Sequence, residues 1–333
     1  MSTIQEVATK ANVSTATVSR YLNGHKLKPE NEARIQEAID ELGYKENYLA
    51  KSLRYNKTLN IGVLTSSLRD ILTTQIICAL EDVLNKHGYM LTVSSFHNNH
   101  DEYESKMQGL IDRKIDGLVL IDVEPNWEFP TTFNTMNIPA VAIASDIKHV
   151  NVNSIVNNCS NASYAVTQEV INRDHNHIAI LTSNTQDYTT LTRLSGVASC
   201  IKDNNLPDTY TTIKACECSR QAGYEACLKL LDEGYDCILS CNYTIGQGAL
   251  QAIFEADRTV GKDISFATYS YKTLLPVTKQ KITAICPKAE EMGETAANEL
   301  LDMIQNNTPA TNKVTVIPDE IFYVGSIVDK TNQ

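Results

Sequence analysis

From Leu59 onward, short apolar runs alternate with longer stretches of helical periodicity. Such runs are typical of buried strands, and strands separated by helices form βαβ units whose strands lie parallel. This alternation predicts an α/β core with two parallel sheets. Strands are expected at Ile61–Leu64, Met90–Val93, Gly117–Ile121, Ala140–Ile143, Ile178–Leu181, Tyr210–Lys214, Cys237–Cys241, Ile264–Tyr269 and Thr283–Ile285, and helices at Gln75–His87, Asp101–Arg113 and Glu290–Gln305.

Residues 1–44 have a different pattern, that of three short helices. Thr3 and Glu6 have the spacing of a capping box, and the apolar residues that follow recur on one helix face. Asn12 tolerates the left-handed backbone that a tight turn needs, and a second helix begins on the capping residue Ser14. A helix, a short turn and a capped helix predict a helix-turn-helix module, whose second helix enters a DNA major groove.

The second helix, residues 14–23, buries Val18 and Leu22 and turns a small, polar and basic face outward. Such a face fits a major groove about 12 Å wide. We expect Arg20 to contact a guanine, and Thr15 and Ala16 to contact base edges and a thymine methyl group. Phosphate contacts are expected from Ser14, Thr17, Ser19 and Asn23.

Charge is distributed unevenly along the chain. The formal net charge is −11, which taken alone argues against nucleic-acid binding. However, residues 1–28 and residues 45–57 each carry a net charge of +3, and an acidic helix separates them. Two basic segments beside an acidic remainder indicate two separate contacts with a polyanion.

Residues 47–54 are compatible with a helix of about two turns, which is too short to be stable alone. Its basic residues indicate that it folds on DNA, although an ordinary interdomain linker has a similar composition. We expect Lys51 and Arg54 to contact DNA.

Several spaced motifs together make the chain resemble the LacI/GalR family of bacterial transcriptional repressors. The motifs are Thr3-Ile4-x-x-Val7-Ala8, Val13-Ser14-x-x-Thr17-Val18-Ser19-Arg20-x-Leu22-Asn23, Leu42-Gly43-Tyr44 and Asn47-x-x-Ala50-Lys51-Ser52-Leu53-Arg54, followed by Ile61-Gly62-Val63-Leu64.

The resemblance implies an all-α three-helix helix-turn-helix headpiece with a hinge helix, followed by a core of two similar parallel-sheet subdomains, as in periplasmic binding proteins. It also implies that Leu53 of the hinge wedges into the minor groove, and that the protein is a homodimer on pseudo-palindromic operator DNA. The expected domains are 1–46, 47–58 and 59–333. Within the core, the first subdomain spans about 59–160 and 288–320, and the second about 161–287 and 321–333.

Ligands of open parallel sheets bind beyond the carboxyl ends of the strands. The resemblance implies that Arg193 holds the oxygens of a small-molecule effector there, and the alternative is a salt-bridged surface arginine. Further effector contacts are expected from the loops at this edge, at Ser66, Arg69, Leu72, Thr73, Asp146, Asp187, Thr189, Tyr243 and Ser270. Asp70 is another polar candidate.

The chain departs from the family in the expected effector site. Leu72-Thr73 replaces a frequent aromatic pair, Asn242-Tyr243 and Tyr269-Ser270 lack frequent acids, and Val324-Gly325-Ser326 replaces an Arg-x-Ser. A sugar or sugar derivative is the expected effector, and a noncarbohydrate or phosphorylated effector stays open. Some family members respond instead to a protein corepressor.

Other function classes lack support in the sequence. No Ser/His/Asp order or nucleophile elbow indicates catalysis, and Gly246-Gln247-Gly248 lacks the third glycine of a nucleotide fingerprint and favours close helix packing. Scattered cysteines, Cys216-x-Cys218 included, predict reduced thiols, and neither a metal nor another cofactor is expected. Without an apolar membrane span or signal peptide, we expect a bacterial cytoplasmic, nucleoid-associated protein, with a cytosolic small-molecule sensor as the alternative.

Overall fold

The computed structural model describes residues 2–22, 25–44, 57–130, 133, 138–183, 187–272 and 281–331. These residues belong to two compact units, Met1–Thr58 and Leu59–Gln333. Of the hinge helix expected at 47–58, only residues 57 and 58 are described, so that prediction lies outside the described residues.

The first unit contains helices α1 (Ile4–Lys10), α2 (Thr15–Leu22) and α3 (Pro29–Leu42). The capping box at α1 is formed, since Thr3 accepts from the amide of Glu6 and the Glu6 carboxylate accepts from the amide of Thr3. Helix α3 ends on Gly43, whose φ of 55° is the left-handed conformation that glycine adopts without strain. The three helices enclose one apolar core, formed by Val7, Ala8, Ala11, Val18, Ile35 and Ala38.

The second unit contains two six-stranded sheets, each part of one half of the unit. The first half has the sheet order β11-β5-β4-β3-β1-β2, with all strands parallel. Its strands are β1 (Asn60–Thr65), β2 (Met90–Ser95), β3 (Gly117–Ile121), β4 (Ala140–Ile143), β5 (Asn153–Asn157) and β11 (Val314–Ile317).

The second half has the sheet order β12-β10-β9-β8-β6-β7. Its strands are parallel except β12, which runs antiparallel to β10. They are β6 (Ile178–Ser183), β7 (Thr211–Cys216), β8 (Cys237–Ser240), β9 (Ser265–Tyr269), β10 (Thr283–Cys286) and β12 (Glu320–Phe322).

Helices cover the faces of both sheets. Those of the first half are α4 (Ile71–Lys86), α5 (His100–Asp112) and α10 (Ala289–Asn306), and those of the second are α6 (Cys159–Asn172), α7 (Tyr188–Asp203), α8 (Arg220–Asp232) and α9 (Tyr243–Glu255). Helices α8 and α9 approach closely because Gly248 has no side chain: a Cβ there would lie 1.9 Å from the carbonyl oxygen of Arg220. The glycine pair that resembled a partial nucleotide motif therefore lies at a helix contact.

Three crossovers join the two halves, from β5 to α6, from β10 to α10 and from β11 to β12. Two of them are tied together, since Asn157 donates from Nδ2 to Oδ1 of Asp319 over 3.0 Å. Pro287 lies in the second crossover and Pro318 in the third.

The predicted fold class is confirmed: helix-turn-helix helices precede two parallel-sheet halves. Three strands, β5, β11 and β12, were missed. Strand β5 has asparagine at both ends, and Pro318 and Asp319 separate two very short strands at the end of the chain. Among the described residues, no helix has both the length and the apolar character that crossing a bilayer requires.

Candidate functional site

The outward face of α2 is built as the sequence predicted. Ser14 begins the helix by accepting from the amide of Thr17 over 3.1 Å, and the two hydroxyls lie 2.8 Å apart. Val18 is fully buried, whereas Leu22 is half-buried at the edge of the core. Thr15, Ala16 and Arg20 are exposed, and Thr17 and Ser19 are half-buried.

Helix α2 is held against α3 by a polar contact as well as by Val18. The hydroxyl of Tyr21 donates to Oε1 of Gln36 over 2.7 Å, which fixes the orientation of α2 about its axis. The exposed side chains of Thr15, Ala16 and Arg20 are therefore presented from a rigid three-helix support. The predicted contacts Asn23, Lys51, Leu53 and Arg54 lie outside the described residues.

In the second unit, polar side chains gather beyond the carboxyl ends of β1 and β3. Ser66 follows β1 and donates from its hydroxyl to Oδ2 of Asp122, which follows β3, over 2.8 Å. Ser66 is buried and Asp122 is half-buried. The sequence named Ser66 for this place but missed Asp122.

Asp70 connects this edge to the second half of the unit. Its Oδ2 accepts from the amide of Thr73 over 3.2 Å and so caps α4. Its Oδ1 lies 3.4 Å from the hydroxyl of Tyr271, which follows β9. The two halves thus meet through side chains at the carboxyl ends of their strands, and we call the space they line the cleft.

Asp187 has the same role in the second half as Asp70 in the first. Its Oδ1 accepts from the amide of Thr190 over 2.7 Å and caps α7, and its Oδ2 accepts from the Thr190 hydroxyl over 2.9 Å. Both carboxylates are held at helix N-termini, where the helix dipole stabilises negative charge.

Arg193 is buried rather than on the surface, with 7% of its area exposed. Its Nη1 donates to the carbonyl oxygen of Cys241 over 2.6 Å, and its guanidinium lies 3.7 Å from the centre of the Tyr269 ring. Within the described part of the chain, its Nε–H has no acceptor. The alternative of a salt-bridged surface arginine is therefore wrong.

The carboxyl group of Asp122 has a raised pKa. Burial, together with the charges of Asp187 and Asp70, raises the pKa of Asp122 to about 8, against the opposing effects of Ser66 and Arg193. Cys218, which follows β7, is affected by the same groups. Burial and the charges of Asp70 and Asp187 raise the pKa of its thiol to about 11.

The other predicted effector residues are less uniform in position. Thr73 and Ser270 are buried, Thr189 is half-buried, Arg69 is exposed and Leu72 packs against the apolar core of the first half. Asp146 pairs with Lys148 over 3.0 Å. Tyr243 packs edge-on against Tyr271, with ring centres 5.0 Å apart.

One residue at this edge, Asp122, was absent from the prediction. Asp122 comes directly after a strand that was predicted correctly, so the carboxyl-end rule would have found it.

A Ser–His–Asp trio lies elsewhere in the second half but is structural. Ser265 Oγ and His175 Nε2 lie 3.0 Å apart, and His175 Nδ1 lies 3.8 Å from Asp236 Oδ1. Ser265 has no exposed area, and its Oγ accepts from the amide of Val328 over 2.8 Å. The trio fixes the C-terminal segment to the sheet.

Comparisons with known protein families match both units. Residues 3–47 match the family of bacterial regulatory proteins, lacI family, and residues 167–327 match the periplasmic binding protein-like domain. The chain thus combines a LacI-type helix-turn-helix domain with a periplasmic binding protein-like domain.

The chain resembles curated relatives over nearly its full length. It is 24% identical over 309 residues to the ribose operon repressor of Haemophilus influenzae, covering 92% of this chain and 93% of that protein. It is 28% identical over 323 residues to the transcriptional repressor PurR of Yersinia pestis, covering 96% and 95%.

Solved structures share the fold. The lac repressor dimer bound to operator and the anti-inducer ONPF has a TM-score of 0.85 at 23% identity, covering 98% of this chain and 99% of that one. A LacI family transcriptional regulator of Enterococcus faecium with bound ribose has a TM-score of 0.71 at 19% identity, covering 81% and 99%.

Proposed function

We propose that this protein is a sequence-specific DNA-binding transcriptional repressor whose operator affinity is set by a small molecule in the cleft. The observation that supports the first part most directly is the exposed face of α2, with Thr15, Ala16 and Arg20 on a capped and braced helix. The relatives that match over nearly the whole chain are named repressors.

Base reading would depend mainly on Arg20. Its guanidinium can donate two hydrogen bonds to a guanine edge, whereas Ala16 offers only shape and methyl contact. One short helix reads few base pairs, so the protein is proposed to act as a homodimer on a pseudo-palindromic operator. Since such a reader needs access to the chromosome, we place it in the bacterial cytoplasm and on the nucleoid.

The effector would act by population shift. The cleft is lined by side chains from both halves, which meet at Asp70 and Tyr271. A ligand that binds one relative orientation of the halves more tightly shifts the equilibrium toward that orientation. We favour a small molecule over a protein corepressor because Ser66, Arg193 and Asp122 are buried or half-buried and reach only a ligand that enters the cleft.

The regulator function is tested by selecting DNA with the full-length protein. A random-duplex library, bound and amplified over several rounds, should converge on a pseudo-palindrome whose affinity falls steeply with added salt. Arg20→Ala should weaken binding to the selected duplex by about tenfold to a hundredfold, because a bidentate guanine contact contributes about 1–3 kcal/mol.

Arg34→Ala is the matched control. Arg34 is an exposed arginine of the same unit that donates to Asn31 on α3, so its loss removes the same charge without altering the face of α2. It should reduce affinity far less than Arg20→Ala. A library that fails to converge, or equal losses from the two variants, would contradict the proposal.

A further inference from the structure

Helix α2, which carries Arg20, is short and rests on a small apolar contact. Of its eight residues, Thr15–Leu22, Val18 alone is fully buried. Tyr21 and Leu22 are half-buried against the same apolar core. A helix of two turns has little stability of its own. Its contacts with the rest of the first unit therefore decide how α2 is oriented.

A polar contact joins the end of α2 to α3. The hydroxyl of Tyr21 donates to Oε1 of Gln36 over 2.7 Å, and Nε2 of the same amide donates to Oδ1 of Asp40 over 2.9 Å. Gln36 and Asp40 are exposed and lie one turn apart on α3. We call these three side chains, Tyr21, Gln36 and Asp40, the polar row.

The chemistry of Asp40 gives the polar row one direction. A carboxylate can only accept hydrogen bonds, so it draws the amide nitrogen of Gln36 toward itself and leaves the amide oxygen facing Tyr21. That oxygen can only accept, and a tyrosine hydroxyl can donate. Each donor in the polar row therefore meets one acceptor, and Asp40 orients the group to which Tyr21 donates.

Arg20 directly precedes Tyr21, so a contact that fixes Tyr21 also fixes the base of the arginine side chain. The carbonyl oxygen of Arg20 accepts from the amide of His25 over 3.0 Å, which closes the end of α2. Neighbouring helical residues project about 100° apart, and the side chain of Arg20 is exposed. Rotation of α2 about its axis displaces the guanidinium at the end of this long side chain more than it displaces the backbone.

The two kinds of DNA contact differ in how much displacement they tolerate. A pair of parallel hydrogen bonds to a guanine edge needs the guanidinium in one place and one plane. A phosphate contact depends mainly on charge and is made with any sequence. A misplaced Arg20 therefore loses sequence discrimination before it loses general affinity for DNA.

We propose that Tyr21 is a positioning residue for base reading. Its hydroxyl, held by Gln36 with Asp40 behind it, sets the rotation of α2 at which Arg20 meets a base edge. The inference rests on the proposed function, in which Arg20 reads a guanine. It assigns Tyr21 to specificity, that is, to the ratio between the affinities for the selected duplex and for unrelated DNA.

Fluorescence anisotropy of the full-length protein tests this with the selected duplex and an unrelated duplex of equal length. Tyr21→Phe keeps the ring and removes only the hydroxyl. It should weaken binding to the selected duplex by about threefold to tenfold, the effect of one hydrogen bond, and leave binding to the unrelated duplex unchanged. A merely structural role would lower both affinities together, in proportion to the fraction of folded protein.

Further variants show whether the effect passes through the polar row to Arg20. Gln36→Leu removes the acceptor and should reproduce the loss seen in Tyr21→Phe, and the double variant should lose no more than either single variant. Asp40→Asn, whose amide oxygen still accepts from Gln36, should keep the affinity ratio. Arg20→Ala should cost less affinity in Tyr21→Phe than in the unaltered protein, because a misplaced guanidinium contributes less.

Tyr235→Phe is the matched control. The hydroxyl of Tyr235 donates to Oγ1 of Thr212 over 2.8 Å in the second unit, so the same group is removed away from α2. Both DNA affinities should stay as in the unaltered protein.

The inference is overturned if Tyr21→Phe keeps the affinity ratio, if both affinities fall together, or if the losses of Tyr21→Phe and Gln36→Leu add. It is also overturned if Gln36→Leu has no effect, since a hydroxyl that contacts DNA directly does not need an acceptor on α3. These outcomes leave the proposed function standing, because that function is decided by the loss from Arg20→Ala alone. A library that does not converge overturns both.

Discussion

The hydroxyl of Tyr271 lies 3.4 Å from the carboxylate of Asp70, and this contact joins the two halves of the second unit across the cleft. Tyr271 itself is buried, with 6% of its area exposed. The contact is long, so it holds the halves weakly and is suited to being broken or remade when their orientation changes.

Tyr271→Phe tests the strength of that contact. Because the ring stays buried and the hydroxyl contact to Asp70 is long, the free energy of unfolding should fall by less than about 1 kcal/mol. Urea unfolding followed by circular dichroism measures it. Tyr243→Phe, which removes a hydroxyl that accepts from Gln247 on the surface, is the control and should change stability less. A loss of several kcal/mol would mean that Tyr271 has another role.

Gly248→Ala should be strongly destabilising. The added Cβ would lie 1.9 Å from a backbone oxygen of α8, so α8 and α9 must separate, at a cost of about 1–3 kcal/mol or more. Thermal unfolding checks this.

Gly109→Ala in α5 is the matched control. There the nearest atom to a new Cβ is the end of the flexible Arg113 side chain, at 3.3 Å. Alanine should be neutral or stabilise by about 0.5–1 kcal/mol, since glycine disfavours a helix interior. Similar effects at both positions would show that α8 and α9 are not closely packed.

The contribution of His175 to stability should decrease in mildly acidic solution. Burial lowers the pKa of its imidazole, and the charge of Lys330 lowers it further. The unfolded chain therefore binds a proton at about pH 6.5, where the folded chain does not. The contribution of His175 to the free energy of unfolding should be constant above about pH 7 and fall as the pH drops through about 6.5 toward the lower folded pKa.

His175→Gln should remove this contribution to the pH dependence of the free energy of unfolding, whatever its effect on overall stability. Urea unfolding at intervals between about pH 7.5 and 5.5 measures the slope. His25→Gln, at an exposed histidine of the first unit, should leave the slope as in the unaltered protein. An unchanged slope in His175→Gln would assign the pH dependence to other groups.

Leu53→Ala should weaken binding to the selected duplex while leaving ligand binding intact. The favourable contacts that accompany a leucine wedged between base steps offset an unstacking cost of a few kcal/mol. Alanine is too short to act as such a wedge. Fluorescence anisotropy with the selected duplex measures the effect. Equal affinity of the variant and the unaltered protein would exclude the wedge.

The sequence contained enough to predict the helix-turn-helix module and most strands, because both depend on local patterns. Val18 and Arg20, two positions apart, lie on opposite faces of one helix and can be assigned from spacing alone. Strands β5 and β11 pair with each other although their first paired residues, Ser154 and Val314, are 160 positions apart in the sequence. No local pattern encodes such a pairing.

The sequence could predict where the cleft lies in the fold, but not which groups surround its side chains. Arg193 could be named from the resemblance, but its contacts with the ring of Tyr269 and the carbonyl of Cys241 depend on other segments of the folded chain. The raised pKa of Asp122 likewise depends on three loops that meet only in the folded chain.

The crossover from β11 to β12 has a consequence for biosynthesis. The first sheet receives its edge strand from residues 314–317 and the second receives its edge strand from residues 320–322, so both are completed by the last part of the chain. During synthesis, neither sheet can be completed until residues 314–322 have emerged from the ribosome. The first unit can fold early. A prematurely terminated product would thus retain a folded DNA-binding module attached to an unfinished core, and would compete for operator sites without responding to an effector.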